Sequence, residues 1–192
     1  MLRAFAVSSL VACMVGHAFW FAPRAVTPRG NDDTDRAASV GDIVFIRTTT
    51  WRGRFVRLLE LGNDDFAHVG VIVRAAPDLE IVHASPTESG TVRVDRLSTL
   101  LARSEATSFA IYHPRSSPSE ATRAAAIALK YAADHTPFDT RFDLAEDRAV
   151  YCTELVWLAY RGAGLRIESL SDILFPSDLI QSGFFEIGPS RS

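Results

Sequence analysis

The sequence predicts an α+β domain in which a mainly antiparallel sheet is packed with helices. Three observations carry this expectation. Short runs rich in Val, Ile and Phe alternate with Gly, Pro, Asn and Asp through the first part of the domain, as strands separated by turns do. Two longer segments with clear helix signals follow. A cysteine, Cys152, stands at the start of the second of them.

Each element follows from its local pattern. Val40 to Arg47 reads as a strand entered through a turn at Gly41-Asp42. Thr48 to Leu61 is amphipathic, with Phe55, Leu58, Leu59 and Leu61 at helical spacing, and Gly62 to Asp65 forms a turn. Phe66 to Arg74 is a strand of buried type. Glu80 to Ser85, after Pro77-Asp78, is its hairpin partner, and Thr91 to Val94 is a further short strand. Leu97 to Arg103 reads as a short helix, and Ser108 to Tyr112 as a strand stopped by His113-Pro114. Pro118 to Asp134 is helical: Ser117 can cap it, Pro118 suits its first turn, and alanines fill it. His135 to Leu144 is a loop. Val150 to Arg161 is a second helix, closed by Gly162 and Gly164. Phe175 to Asp178 starts a last helical turn, and Phe184 to Ile187 a last strand. There is no internal repeat, so residues 38–192 read as one domain.

Composition bounds the partners. The chain has 192 residues, a formal net charge of -3 and a single lysine, Lys130. No basic stripe exists to track a nucleic acid. Its two cysteines cannot build a disulfide framework, because Cys13 falls in the N-terminal apolar segment. Ala4 to Ala22 is uncharged and just short of the ~20 residues that span a bilayer. Residues 1–22 therefore read as a signal or membrane anchor. The cleavage site around Gly16-His17-Ala18 is poor, and Phe19, Trp20 and Phe21 resemble an interfacial belt. Leu10-Val11-Ala12-Cys13 resembles a lipoprotein processing box, but the residues after Cys13 stay apolar. Residues 23–37, with Pro23, Pro28, Gly30 and an Asn/Asp run, read as a linker. The expected location is membrane-anchored or exported, at a bacterial cell envelope.

Chemistry rests on a few residues. Cys152 at a helix start meets free backbone N–H groups and the positive end of the helix dipole, so a depressed thiol pKa is expected there. The amides around Tyr151 and Thr153 are candidate oxyanion donors. His68, inside an apolar strand and followed by Gly70, is the candidate base. His83, in the neighbouring strand, shares a face with it if the two strands pair, and would then orient it. A lone buried cysteine or a satisfied core histidine would be the bland reading of each residue taken singly. Asp42 reads as structural, and His113 and His135 border loops.

Five segments in order resemble the circularly permuted papain-like amidases and peptidases, the YaeF/YiiX-like branch of the NlpC superfamily. They are Gly41 to Phe45, Phe66 to Val71, Ile81 to Ala84, Pro137 to Phe142 and Tyr151 to Val156. The resemblance spans Val40 to about Ile187. It implies a permuted papain-like, NlpC-type fold with the nucleophile at a helix N-terminus and the histidine strand ahead of it in the chain. It also implies Cys152 as nucleophile, His68 as base and His83 as third polar residue, a position where relatives often carry Glu. Asp139 maps to a loop near the cleft and reads as loop-fixing. The implied function is a thiol hydrolase of amide (peptide or N-acyl) or ester bonds, acting through a Cys acyl-enzyme without a cofactor. Peptide, cell-wall or lipid-like amides are the implied substrates. Acyl transfer to a lipid or amine uses the same triad. A noncatalytic binding module of this fold is a further alternative. A zinc site at His68, His83 and Cys152 is a third class, but the spacings match no compact zinc motif.

Overall fold

The computed structural model describes residues 38–48, 66–87, 89–146, 148–167 and 172–187. The predicted helix at 48–61, apart from Thr48, and the turn at 62–65 lie outside the described residues. So do residues 1–22 and 23–37, expected to be a signal or anchor and a linker. Among the described residues no helix is long and apolar enough to cross a membrane.

The elements run β1 (Ile43–Thr48), β2 (His68–Arg74), β3 (Glu80–Ala84), β4 (Val92–Arg96), α1 (Leu97–Arg103), β5 (Ala106–Pro114), α2 (Pro118–Ala133), α3 (Cys152–Gly162), α4 (Pro176–Gln181) and β6 (Phe185–Ile187). The strands form one sheet in the order β4-β3-β2-β1-β5-β6. Every pairing in it is antiparallel.

Both faces of the sheet are covered, which explains why β1 is an apolar run rather than an alternation. Ile43 and Phe45 join Val69, Val71 and Val82 in a core beneath α2 and α3. Val44 and Ile46 join Ile72 and Ile81 on the other face, against Leu97, Leu100 and Leu101 of α1. Burying each such side chain contributes about 1.5–3 kcal/mol.

Helix α2 begins as its sequence dictates. The Ser117 side chain accepts from the Glu120 N–H, Glu120 returns to the Ser117 N–H, and Pro118 fills the first turn. Its buried face is all alanine: Ala121, Ala124, Ala125 and Ala128. So small a face lets the helix approach the turn before β1. There Gly41 holds a φ of +93°, and a Cβ on it would lie 2.5 Å from the Ala121 carbonyl oxygen. The Tyr160 hydroxyl of α3 donates to the Gly41 carbonyl, tying this turn to both helices.

Among the boundaries that differ from the sequence expectation are the end of β5 and the start of α3. Strand β5 runs on through His113 and Pro114 because β6 pairs there, His113 with Glu186 and Pro114 with Phe185. Pairing to β1 ends at Tyr112, so Pro114 has a neighbour on one side and its missing N–H is tolerated. Helix α3 starts at Cys152 rather than Val150, with Tyr151 extended as its N-cap.

Gly41→Ala should destabilise the domain by about 1–3 kcal/mol, combining overpacking with left-handed backbone strain. Urea unfolding checks this. A midpoint equal to that of the parent would remove the close approach of α2 as a constraint.

Candidate active site

Cys152 is the first residue of α3, and its thiol is free and 8% exposed. The start of the helix is pinned from three directions. Glu154 accepts the Tyr151 N–H at 3.2 Å. The Tyr151 hydroxyl accepts the Leu174 N–H at 2.9 Å, and the Thr153 hydroxyl donates to the Leu174 carbonyl. Both side chains thus hold the helix start; the Thr153 hydroxyl gives its proton to Leu174, while the Tyr151 hydroxyl accepts there and keeps its own. Asp139 is buried, and its carboxylate accepts the N–H groups of Arg141 and Asp143 at 2.7 and 2.6 Å. It fixes the loop whose Phe142 ring packs on Tyr151, centroids 5.1 Å apart.

The backbone N–H groups of Val69, Thr153 and Cys152 itself lie near the sulfur and favour its thiolate form. Val69 follows His68, so the helix start meets the sheet where the histidine opens β2. The Nε2 of His68 lies 3.0 Å from Nδ1 of His83, with the rings nearly perpendicular. Strand register produces this contact. Val71 pairs with Val82 and Ile72 with Ile81, and continuing that register sets His83 beside Gly70. His68 and His83 are then diagonal neighbours on one face. Gly70 leaves the space between them open, since a Cβ there would sit 3.2 Å from the His83 Cβ.

The polar line extends further than the sequence reading took it. His83 is fully buried, and its Nε2 lies 3.1 Å from Oδ2 of Asp95. Arg93 donates to the same oxygen, and Arg103 stands 3.9 Å from Oδ1. Asp95 lies beyond the expected end of the fourth strand at Val94, whereas Arg93 lies inside it. The alternation Val92, Arg93, Val94, Asp95 was the available signal. In β4 Arg93 pairs opposite His83 and Asp95 opposite Ile81, so Asp95 reaches His83 diagonally.

His113 joins Asp42 instead, Nδ1 to Oδ1 at 2.9 Å, and Asp42 also accepts the Ser39 N–H. Burial raises the Asp42 pKa, against the lowering effect of His113 and Ser39. This confines Asp42 to the turn before β1.

The electrostatics correct one expectation. A helix N-terminus was expected to depress the Cys152 pKa. Burial instead raises it to about 11, against the lowering effect of the three N–H donors. Burial likewise lowers His68 to about 3, helped by the positive charges that His83 and Arg93 would set against it. The resting pair is therefore neutral thiol and neutral imidazole. Among the described residues no group of three or more His, Cys, Asp or Glu is arranged to hold a metal ion.

The model of the permuted papain-like amidase family, YaeF/YiiX, C92 family, matches residues 37–181. No curated protein matches the chain. Among solved structures, the crystal structure of metalloprotein yiiX from Escherichia coli O157:H7 superposes with a TM-score of 0.65 at 18% identity, covering 80% of this chain and 97% of that one. At that identity the likeness concerns the fold.

A neutral resting thiol predicts a particular reactivity. In the full chain, alkylation of Cys152 by iodoacetamide should stay slow at pH 8.5, where a free thiol is about half ionised, and climb toward pH 11. A rate that levels off below pH 8 would indicate a preformed thiolate and contradict the dominance of burial.

Proposed function

The chain belongs to the permuted papain-like amidase family, and from that premise we propose that it is a thiol hydrolase of amide bonds, with Cys152 as nucleophile and His68 as base. One observation carries the reading: the thiol at the start of α3 lies by the Val69 N–H, next to His68 in β2, while Nε2 of His68 lies 3.0 Å from Nδ1 of His83.

With Nε2 committed to His83, Nδ1 is the ring nitrogen left for the thiol. As Sγ attacks the substrate carbonyl carbon, Nδ1 takes the thiol proton, so charge separates only as the bond forms. The oxyanion that develops is met by backbone N–H groups at the helix start, those of Cys152 and Thr153. Collapse breaks the C–N bond. The leaving amine takes the proton from His68, and a thioester to Cys152 remains. Water attacks that thioester, giving its proton to Nδ1. The carboxylic acid departs, and the returned proton restores the thiol.

The structurally similar yiiX is described as a metalloprotein, which raises the question of a metal at these donors. Both nitrogens of His83 are engaged, one by His68 and one by Asp95, and Nε2 of His68 is engaged by His83. Only Sγ of Cys152 and Nδ1 of His68 remain, fewer than the three or four protein ligands that zinc takes. These residues do not fit a zinc site.

The apolar Ala4 to Ala22 segment supports action at the cell envelope, on peptide, cell-wall or lipid-like amides. Fractionation of cells expressing the full chain tests this. Recovery with the membranes or outside the cell is expected, and recovery in the cytosol would count against it.

The chemistry is tested with p-nitrophenyl acetate as an acylating probe and intact-mass detection of the adduct. Cys152→Ala should abolish the adduct, and His68→Ala should slow acylation by roughly 10²–10⁴-fold. The acid limb of the rate should lie well below pH 6.5, because a base whose pKa is lowered to about 3 stays unprotonated until the pH falls that far. A folded protein that never forms an adduct at Cys152 would favour a noncatalytic binding module.

A further inference from the structure

A catalytic histidine acts only in the right tautomer. If the proton of neutral His68 sat on Nδ1, no lone pair would face the thiol. Its partner His83 is itself a histidine, which can either donate or accept at Nδ1. The contact between the two rings therefore leaves the tautomer of the base undecided.

Asp95 decides it. A carboxylate only accepts, so Nε2 of His83, 3.1 Å from Asp95 Oδ2, must carry a proton. In the neutral form of His83 the lone pair then lies on Nδ1, which can only accept. Nε2 of His68, 3.0 Å away, must therefore be the donor, which frees Nδ1 of His68 as the base. We propose that Asp95 is a positioning residue for the amidase reaction, imposing through His83 the single tautomer in which His68 can take the thiol proton.

The surroundings of Asp95 suit this role. Arg93 of β4 bonds the oxygen that His83 meets, and Arg103 of α1 stands by the other. Burial raises the Asp95 pKa, but the bonds from His83 and Arg93 outweigh it and the net shift is downward. The carboxylate thus keeps its charge in the neutral range. The groups that face His83 are His68 from β2 and Arg93 and Asp95 from β4, with Arg103 of α1 acting on it through Asp95. Among the described residues Asp95 is the carboxylate bonded to this relay.

The mechanistic part rests on the hydrolase reading, but the tautomer does not, so the test has two arms. In the first, the full chain carrying ¹⁵N-labelled histidine is examined by long-range ¹H–¹⁵N NMR. His68 and His83 of the parent should both be protonated at Nε2. In Asp95→Asn, whose amide can donate as well as accept, His83 and then His68 should lose that single tautomer. In the second arm, Asp95→Asn should lower the maximal acylation rate with p-nitrophenyl acetate roughly 10- to 100-fold, at unchanged half-saturation. Asp95→Glu should recover part of it. A parent His68 protonated at Nδ1 overturns the proposal, even if every Asp95 variant fails to fold. So does a folded Asp95→Asn that keeps both the tautomer and the rate. If the parent shows the expected tautomers yet is never acylated, the relay stands and the hydrolase reading falls.

Discussion

The site depends on the register of three antiparallel strands. Val71 opposite Val82 and Val82 opposite Val94 bring His68, His83 and Asp95 into one diagonal line across β2, β3 and β4. A slip of one residue in either pairing would turn a member of that line to the other face of the sheet, away from its partners. Register is held by burial on both faces, since Val71 and Val82 are locked into one core while Ile72 and Ile81 are locked into the other. The polar line is thus positioned by the apolar residues between its members. Gly70 completes it by leaving room for the His83 ring.

Desolvation sets the chemical state of the Cys152 thiol. Three backbone N–H groups and a helix N-terminus favour a thiolate at Cys152, yet the thiol is nearly excluded from water and stays protonated. A hydrogen bond to a charged group contributes about 1.5–3 kcal/mol, which is modest beside the cost of bringing an anion into such an environment. His68 meets the same penalty with opposite sign and stays neutral. Neither charge need exist before substrate arrives. In the proposed reaction a negative Asp95, bonded through His83, would oppose the positive charge passing onto the imidazole during attack.

Cys152 is held still by packing far from it. The alanine face of α2 and the turn at Gly41 allow close approach, and the Tyr160 hydroxyl fastens α3 to that turn. At the other end of α3, Tyr151 and Thr153 grip the backbone of Leu174. The two ends of the helix are therefore anchored to different parts of the chain, and Cys152 cannot shift without disturbing one of them.

Much of this was legible in the sequence because it is local. The Ser117-Pro118 start of α2 and the apolar runs of β1 and β2 depend on neighbouring residues, and so does the position of Cys152 near a helix start. The order of histidine strand before cysteine helix is written in the chain itself. That His83 would meet His68 needed only the assumption of a hairpin. The tertiary structure decided what depends on distant partners. Strand β5 passes Pro114 because β6, some seventy residues later, lies beside it. Asp95 enters the site because β4 pairs with β3 in one register and not another. The direction of the Cys152 shift reverses because desolvation sums over everything packed around the thiol, whereas the helix dipole is read from the helix alone.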